Sequence, residues 1–269
     1  MIGNKRVIAG VVARMKSQRL KRKALEDIGG RAMTQLILER LQRSQLIDEV
    51  VVCTSSHPED QVLIDKAREE WNVPAFAGHE EDVMLRLIQM GERHEADYVI
   101  RATGDNPLID TGYLDDSIRL HFAQDAEYTR TEGLPLGLAA EVMNLETLRR
   151  CHNMIVGPKH SYIQLYLFNP EVFHCEVLNA RPQVARPYYW LSVDTDRDIT
   201  LVRKIVNRCG PFSKVDQIVP YCDTIEGECA IDPTFPVKLP DGQSMEYHSY
   251  LAMMGERVRV MNEQRGHPS

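Results

Sequence analysis

The chain has 269 residues, of which 43% are hydrophobic and 26% are charged, and its formal net charge is −7. This composition is typical of a globular protein and excludes a disordered or collagen-like chain. A membrane-embedded chain is excluded because the sequence contains no run of about 18 apolar residues. The acidic balance argues against general nucleic-acid binding, which needs a basic surface.

The first half of the chain is predicted to alternate strands with helices. Helices of ten or more residues between short apolar runs imply parallel strand pairing through right-handed crossovers. The predicted strands are Arg6–Val12, Glu49–Cys53, Pro74–Phe76, Tyr98–Arg101 and Glu127–Thr129, and the predicted helices are Met33–Leu41, a helix opening at His57, Glu80–His94 and Tyr113–Gln124.

The second half is less regular. We predict a strand over Ala139–Val142 that leads into a helix at Leu145–His152, and two more helices at Ile199–Arg208 and Glu246–Glu263. Five prolines between Gly210 and Glu246 predict an irregular segment before the last of these helices. We therefore expect one α/β domain over residues 1–210 and a C-terminal extension over residues 211–269 that packs on it.

The cysteines and the N-terminus bear on where the protein works. Met1–Val12 lacks the apolar core of a signal peptide and is predicted to contain a strand. The six cysteines are widely spaced and include no C-x-x-C pair. Such thiols favour a reduced, cytoplasmic location. Neither a membrane nor nucleic acid is expected as a partner.

The positive charge is concentrated near the N-terminus, where eight basic residues and no acidic one lie between Lys5 and Lys23. The segment Ala13–Lys23 follows the first predicted strand, and ligands bind at the carboxyl ends of the strands in open α/β sheets. Arg14, Arg19 and Lys23 are suited to phosphate oxygens. A solvated surface loop is the alternative, and no P-loop or G-x-G-x-x-G fingerprint is present.

Two acidic segments are candidates for a metal site. In Arg101–Asp110, Asp105 comes just after a predicted strand and could bind Mg²⁺ together with substrate phosphates, although Gly-Asp-Asn-Pro is also ordinary turn chemistry. In Ser192–Asp198, Asp196 and Asp198 could cap the following helix, which leaves Asp194 available. A basic loop and two separated acids together suggest a metal–triphosphate site.

Other residues carry weaker signals. His160, next to Lys159, could hydrogen-bond an acidic substrate, but a single histidine is more often structural. No His and Cys cluster has zinc spacing, and Ser17 lacks the G-x-S-x-G context of a serine hydrolase.

In this order, the segments resemble the cytidylyltransferases, specifically the group of the spore coat polysaccharide biosynthesis protein F, whose relatives activate 3-deoxy-manno-octulosonate and sialic acids. The similarity covers roughly residues 5–208. Ala13–Lys23 matches the group's A-R-M-G-S-T-R-L-P-G-K, Asp27–Met33 matches its D-I-G-G-K-P-M, and Arg101–Asp110 matches its R-x-T-G-D-C-P-L-I-D. Three further motifs are matched in part: D-V-L-D-R by Asp82–Arg86, E-V-F by Glu141–Met143 and V-D-T-x-x-D-L by Val193–Ile199.

The resemblance implies a Rossmann-like α/β fold of the nucleotide-diphospho-sugar transferase type, a mainly parallel sheet flanked by helices. It implies transfer of CMP from CTP to an acidic sugar, with release of pyrophosphate, and a homodimer. It assigns Mg²⁺ to Asp105 and Asp194, with Arg14 and Lys23 beside them as catalytic residues. The implied nucleotide-binding residues are Ala13, Arg14, Ser17, Arg19, Lys23, Arg86, Arg101 and Thr103, and the implied acceptor-binding residues are Glu141, Lys159 and His160.

The chain departs from the family pattern inside the basic loop. The usual Gly, Thr, Pro and Gly are Lys16, Gln18, Lys21 and Arg22, and Leu85 replaces an Asp. Loss of glycine removes room for backbone amides to approach a phosphate. Three outcomes stay open: the usual CTP chemistry, an altered nucleotide or acceptor, or a degenerate protein that binds nucleotide without turnover. A glycosyltransferase that uses Asp194-Thr195-Asp196 as a D-x-D metal motif is a further alternative.

Overall fold

The computed structural model describes residues 2–16, 20, 22–155, 163–239 and 242–264. Within these residues, seven strands form one sheet in the order β3-β2-β1-β4-β6-β5-β7. The strands are β1 (Val7–Val12), β2 (Glu49–Ser55), β3 (Ala75–Gly78), β4 (Tyr98–Thr103), β5 (Tyr128–Glu132), β6 (Glu141–Asn144) and β7 (Cys175–Asn179). The predicted mainly parallel α/β fold is confirmed.

Helices flank the sheet and follow its strands along the chain. They are α1 (Met33–Leu41), α2 (Gln61–Glu69), α3 (Val83–Arg93), α4 (Thr111–Ala123), α5 (Leu145–Met154), α6 (Gln164–Leu167), α7 (Asp196–Cys209), α8 (Val215–Thr224), α9 (Glu226–Cys229) and α10 (Tyr247–Gln264). Two short 3₁₀ helices, Lys23–Leu25 and Pro58–Asp60, and a β-hairpin of β8 (Pro236–Lys238) and β9 (Ser244–Glu246) complete the described elements.

Both faces of the sheet are buried, as expected of parallel strands covered by helices. In β1, Ile8 joins a core with α3, α5 and α10, whereas Ala9 and Val11 join the core formed with α1, α2 and α4. Gly10 lets α3 approach closely, because a Cβ atom there would lie 2.7 Å from the Met90 sulfur. Among the described helices, none has the length and apolar character needed to cross a membrane.

Strand β6 pairs antiparallel with both β4 and β5, whereas the other pairings in the sheet are parallel. The cause is the short connection from Glu132 to Glu141. A parallel crossover needs about a dozen residues or more, usually including a helix, so this connection can only return the chain in the opposite direction. As a result, Glu141 lies beside Arg101 at the start of β6.

The segment after Gly210 is more ordered than its prolines predict. The expectation of an irregular segment was wrong over Val215–Thr224, where α8 includes Pro220 in its interior. Packing explains the helix, because its apolar residues share a buried cluster with Val202 and Val206 of α7, which offsets the hydrogen bond that proline removes. The predicted C-terminal helix is confirmed as α10, whose Met254 packs against the sheet.

Candidate functional site

Three distant segments meet at the ammonium group of Lys23. Its Nζ atom lies 3.2 Å from Oδ1 of Asp194 and 3.7 Å from Oδ2 of Asp105, and it donates a hydrogen bond of 3.0 Å to the carbonyl of Val193. Lys23 and Asp194 are mostly buried, and Asp105 is about one-third exposed. The two carboxylates assigned to a metal therefore lie around one cation position.

Asp105 is held in place by its backbone. Its carbonyl accepts a hydrogen bond of 2.8 Å from the N–H of Val193, which fixes it next to the segment that carries Asp194. Gly104 is required beside it, because a Cβ atom there would lie 2.7 Å from the carbonyl oxygen of Val12. Thr103 pairs with Val12 at the ends of β4 and β1, and buried Ala13 follows directly.

The three acids in the segment Ser192–Asp198 have different roles, as the sequence predicts. Oδ2 of Asp198 accepts hydrogen bonds from the backbone N–H groups of Asp194 (3.0 Å) and Thr195 (2.8 Å), and Asp198 and Thr195 form a capping box on α7. Asp196 is exposed in the first turn of α7. The Asp194 carboxylate is thereby directed toward Lys23, whereas the other two acids serve the helix.

The start of the basic loop is anchored by an aspartate that sequence reasoning did not select. Asp60 is 1% exposed, and its Oδ1 accepts a hydrogen bond of 2.6 Å from the backbone N–H of Met15. Neighbouring Arg14 lies 3.8 Å from Glu81, in an exposed pair on the loop before α3. The only sequence signal for Asp60 is its place in a predicted helix start.

Arg86 is buried, and its contacts are with the backbone of the loop before α3. Its Nε and Nη2 atoms donate hydrogen bonds of 2.9 and 2.7 Å to the carbonyls of His79 and Glu80. Burial lowers the pKa of the guanidinium below its ordinary value. Arg86 therefore fixes the loop that carries Glu81, the partner of Arg14.

Arg101 and Glu141 form a buried ion pair on the sheet face that packs against α3, α5 and α10. Nη1 of Arg101 donates a hydrogen bond of 2.8 Å to Oε2 of Glu141, and the hydroxyl of Tyr128 donates one of 3.0 Å to Oε1. Burial opposes the charge of Arg101, but Glu141, together with Tyr128 and Asp105, raises the pKa of the guanidinium above its ordinary value. Gln164 lies at 3.4 Å from the same Nη1 atom.

A second ion pair, between Arg130 and Glu132, lies on β5. We refer to Arg101, Glu141, Arg130 and Glu132 together as the strip. Nε of Arg130 lies 2.9 Å from Oε1 of Glu132, and the Arg130 guanidinium lies 5.2 Å from the centre of the Phe168 ring. Among the described residues, Nε of Arg101 and Nη1 of Arg130 are buried without a hydrogen-bond partner, and Oε1 of Glu132 has only its ion pair with Arg130. Unsatisfied buried polar atoms are rare in folded proteins and point to a ligand.

Arg130 and Glu132 were missed by the sequence analysis. The available signal is the alternation in β5, where Thr129 and Thr131 hydrogen-bond to α4 and Tyr128, Arg130 and Glu132 occupy the opposite face. A charged pair on a face that begins with a buried tyrosine indicates a polar site within the core.

Four predicted site residues, Ser17, Arg19, Lys159 and His160, lie outside the described residues. In the described ranges, no group of three or more His, Cys, Asp or Glu side chains is arranged to hold a metal ion. A metal at Asp105 and Asp194 would thus need further ligands from a substrate or solvent, which is the usual situation for Mg²⁺ bound with nucleotide phosphates.

The fold is that of the nucleotidyltransferases, with the carboxylate pair at the carboxyl edge of the sheet. Residues 8–154 match the family model of the cytidylyltransferases, and the chain belongs to that family. It is 29% identical over 207 residues to the spore coat polysaccharide biosynthesis protein SpsF of Bacillus subtilis, which covers 74% of this chain and 86% of that protein.

Two solved structures support the same fold. A cytidylyltransferase from Leptospira borgpetersenii superimposes with a TM-score of 0.78 at 22% identity, covering 85% of this chain and 98% of that chain. A CMP:2-keto-3-deoxy-manno-octonic acid synthetase, solved in complex with CTP, superimposes with a TM-score of 0.60 at 18% identity, covering 76% of this chain and 99% of that chain.

Proposed function

We propose that the protein transfers CMP from CTP to an acidic sugar and releases pyrophosphate, as a step in surface-polysaccharide biosynthesis. The observation that carries this proposal is the convergence of Lys23, Asp105 and Asp194 at one point of the sheet edge. Membership of the cytidylyltransferase family supports the nucleotide. The names of the relatives, a spore coat polysaccharide protein and a sugar-acid synthetase, support the acceptor class.

Asp105 and Asp194 fit a single Mg²⁺ ion. Both carboxylates lie within 4 Å of the same ammonium group, so they face one compact cation position. Mg²⁺ commonly takes one or two protein carboxylates and completes its shell with phosphate oxygens and water. When bound, it would neutralise charge on the phosphates that react and leave.

This reaction needs little covalent chemistry from the protein. The oxygen of an acceptor hydroxyl forms a bond to the α-phosphorus in line and gives up its proton to solvent, the bond to the bridging oxygen breaks, and pyrophosphate leaves with the electron pair. Positioning and charge stabilisation supply most of the rate in such transfers. Arg14, Lys23 and the predicted Ser17 and Arg19 would bind the triphosphate, and Ala13, Thr103 and Arg86 would shape the loops around it.

We assign the acceptor to the strip of Arg101, Glu141, Arg130 and Glu132. The two arginines are balanced by two glutamates, and one nitrogen of each arginine has no hydrogen-bond partner among the described residues. This pattern suits a sugar acid, which presents oxygens to the arginines and hydroxyl donors to Glu132. Asp105 is four positions after Arg101, so their Cα atoms lie at most about 14 Å apart, which a sugar and a phosphate can span. Lys159 and His160 stay predicted members of this site.

The test is pyrophosphate release with CTP, Mg²⁺ and a panel of acidic sugars that includes 3-deoxy-manno-octulosonate and N-acetylneuraminate. Asp105→Ala and Asp194→Ala should each abolish it, whereas Asp196→Ala, at an exposed acid two residues away, should not. Activity that survives in both of the first two variants would exclude the mechanism.

The same assay separates the alternatives. A glycosyltransferase with a D-x-D site would bind a finished nucleotide sugar in preference to CTP, and Asp196→Ala would inactivate it. A degenerate protein would bind CTP but release no pyrophosphate with any acceptor. The proposal also includes a homodimer, which light scattering would show as a mass of twice 30.8 kDa.

A further inference from the structure

Two cations of the N-terminal basic stretch have no partner among the described residues. The other four cations of the stretch that the structure describes are engaged with carboxylates: Lys5 with Asp97, Arg6 with Glu49, Arg14 with Glu81, and Lys23 with Asp194 and Asp105. Lys16 and Arg22 are exposed, and neither forms an ion pair or a side-chain hydrogen bond within the described residues. Their charge is therefore available to a ligand.

Arg22 has a strained backbone. Its φ of 58° and ψ of 22° are those of a left-handed helix, a conformation that glycine adopts without penalty and that a side chain with a Cβ atom disfavours. Arginine, unlike asparagine or aspartate, has no short polar group to compensate locally. For a residue other than glycine, asparagine or aspartate this conformation is uncommon, and it raises the question of what the side chain does.

Arg22 also lies next to a residue of the candidate site in the chain. It immediately precedes Lys23, whose ammonium charge is neutralised by Asp105 and Asp194. Without a metal ion, a polyphosphate that approaches these carboxylates would meet net negative charge unless other cations faced it. Lys16 follows Met15, which Asp60 anchors. The two unpaired cations thus adjoin, in the chain, two residues whose positions are fixed, Met15 by Asp60 and Lys23 by the two carboxylates.

We propose that Lys16 and Arg22 bind the polyphosphate chain of the nucleotide, and that their charge replaces the backbone contacts that glycines at the same positions allow in the resembling group. An arginine binds phosphate through two parallel hydrogen bonds and a lysine as a point charge. This inference rests on the proposed function for the identity of the nucleotide, but the ligand chemistry, a linear polyphosphate, can be tested alone.

The experiment measures tripolyphosphate binding by calorimetry at low salt, together with thermal unfolding. Arg22→Gly should weaken tripolyphosphate binding at least about tenfold and raise the unfolding temperature, because the left-handed strain is relieved. Arg22→Lys should retain part of the affinity. Lys16→Ala should weaken binding without a gain in stability.

Glu95→Gly is the matched control. Glu95 is also exposed and left-handed, with φ of 54°, but it follows α3. Its replacement should raise the unfolding temperature and leave tripolyphosphate binding unchanged.

Two results would overturn the inference: a wild-type chain that does not bind tripolyphosphate, or an Arg22→Gly variant that binds it as tightly as the wild type. Failure of the proposed function gives a different result. In that case the Arg22→Gly variant would lose tripolyphosphate affinity as expected, while the wild-type chain would release no pyrophosphate from CTP with any acidic sugar.

Discussion

The backbone N–H of Met15 donates a hydrogen bond of 2.6 Å to Oδ1 of Asp60, which lies 45 residues further along the chain. The other carboxylate oxygen of Asp60 accepts from the backbone N–H of Ser55 at 3.3 Å and from the Ser55 hydroxyl. One buried carboxylate thus ties the basic loop after β1 to the end of β2. The position of the loop depends on this aspartate as well as on its own sequence.

Asp60→Asn should loosen the basic loop and destabilise the fold. The amide group places donors where the carboxylate accepts hydrogen bonds, so we expect the free energy of unfolding to fall by about 1–3 kcal/mol. With a catalytically competent acceptor, the KM for CTP should rise more than kcat falls, because binding geometry is lost before chemistry. Urea unfolding and steady-state kinetics measure the two effects.

Asp65→Asn is the control for this substitution. Asp65 lies on α2 and accepts a hydrogen bond from Gln61 in an exposed pair. Its replacement should change neither the free energy of unfolding nor the KM. If Asp60→Asn also left the KM for CTP unchanged, Asp60 would not position the nucleotide loop.

The sequence predicted the central contact of the site because its parts carry local signals. Lys23 and Asp105 follow predicted strands, whose carboxyl ends meet at one edge of a parallel sheet, and Asp194 lies just before a predicted helix. Asp198 was predictable as a cap because its bonds stay within four residues.

Other parts of the site were not predictable, because their partners are distant in sequence or belong to the backbone. Asp60 and Arg86 bind backbone groups, which leave no trace in residue identity. Strand β7 adds to the sheet edge next to β5, and its Cys175–Asn179 segment has no strong alternation of its own. Helix α8 forms in spite of Pro220 because tertiary packing overrides local propensity.

Arg130→Met should impair acceptor use and spare the nucleotide. Arg130 lies on β5, and its Nη1 atom has no hydrogen-bond partner within the described part of the chain, so its loss removes a charged contact to the sugar acid. We expect the KM for the acceptor to rise at least about tenfold, with an unchanged KM for CTP. The measurement is initial-rate kinetics with the acceptor that supports the highest pyrophosphate release.

Arg149→Met gives the matched comparison, since Arg149 forms an ion pair with Glu92 on the surface of α5 and α3. It should leave both KM values unchanged. A rise in the KM for CTP alone in Arg130→Met would place Arg130 on the nucleotide instead of the acceptor.

Arg40→Met should destabilise the whole protein. Arg40 is 3% exposed and donates hydrogen bonds to the carbonyls of Ile109 (2.9 Å), Leu108 (3.3 Å), Pro211 (2.6 Å) and Ser213 (2.7 Å). Burial lowers the pKa of Arg40 to about 10, so it stays charged at neutral pH. Methionine fills the space but leaves these carbonyls without a donor.

We expect this substitution to lower the free energy of unfolding by at least about 3 kcal/mol, measured by urea denaturation. Arg119→Met, at an exposed ion pair with Asp116 on α4, should change it by less than about 1 kcal/mol. Equal stabilities of the two variants would show that Arg40 does not tie residues 211–213 to the segment after β4.

His121 should make the stability of the fold depend on pH. It is fully buried on α4, and its Nδ1 and Nε2 atoms each lie 2.8 Å from a partner, Thr129 Oγ1 on β5 and Asn144 Oδ1 on β6. The Asn144 oxygen can only accept, so Nε2–H donates and Nδ1 accepts from the threonine. The neutral ring satisfies both contacts, and burial lowers the pKa of His121 to about 4.

The sign of the effect follows from proton binding. The unfolded chain binds this proton near pH 6.5 and the folded chain near pH 4, so the unfolded state binds more protons between these values. The contribution of His121 is complete above pH 6.5 and is lost as the pH falls toward 4, in total about 3 kcal/mol.

Urea unfolding at pH 7, 5.5 and 4.5 measures this loss, and His121→Gln should lose less stability over the same range. His248→Gln, at an exposed histidine, should follow the wild-type curve. Parallel curves for His121→Gln and the wild type would show that another group causes the acid sensitivity.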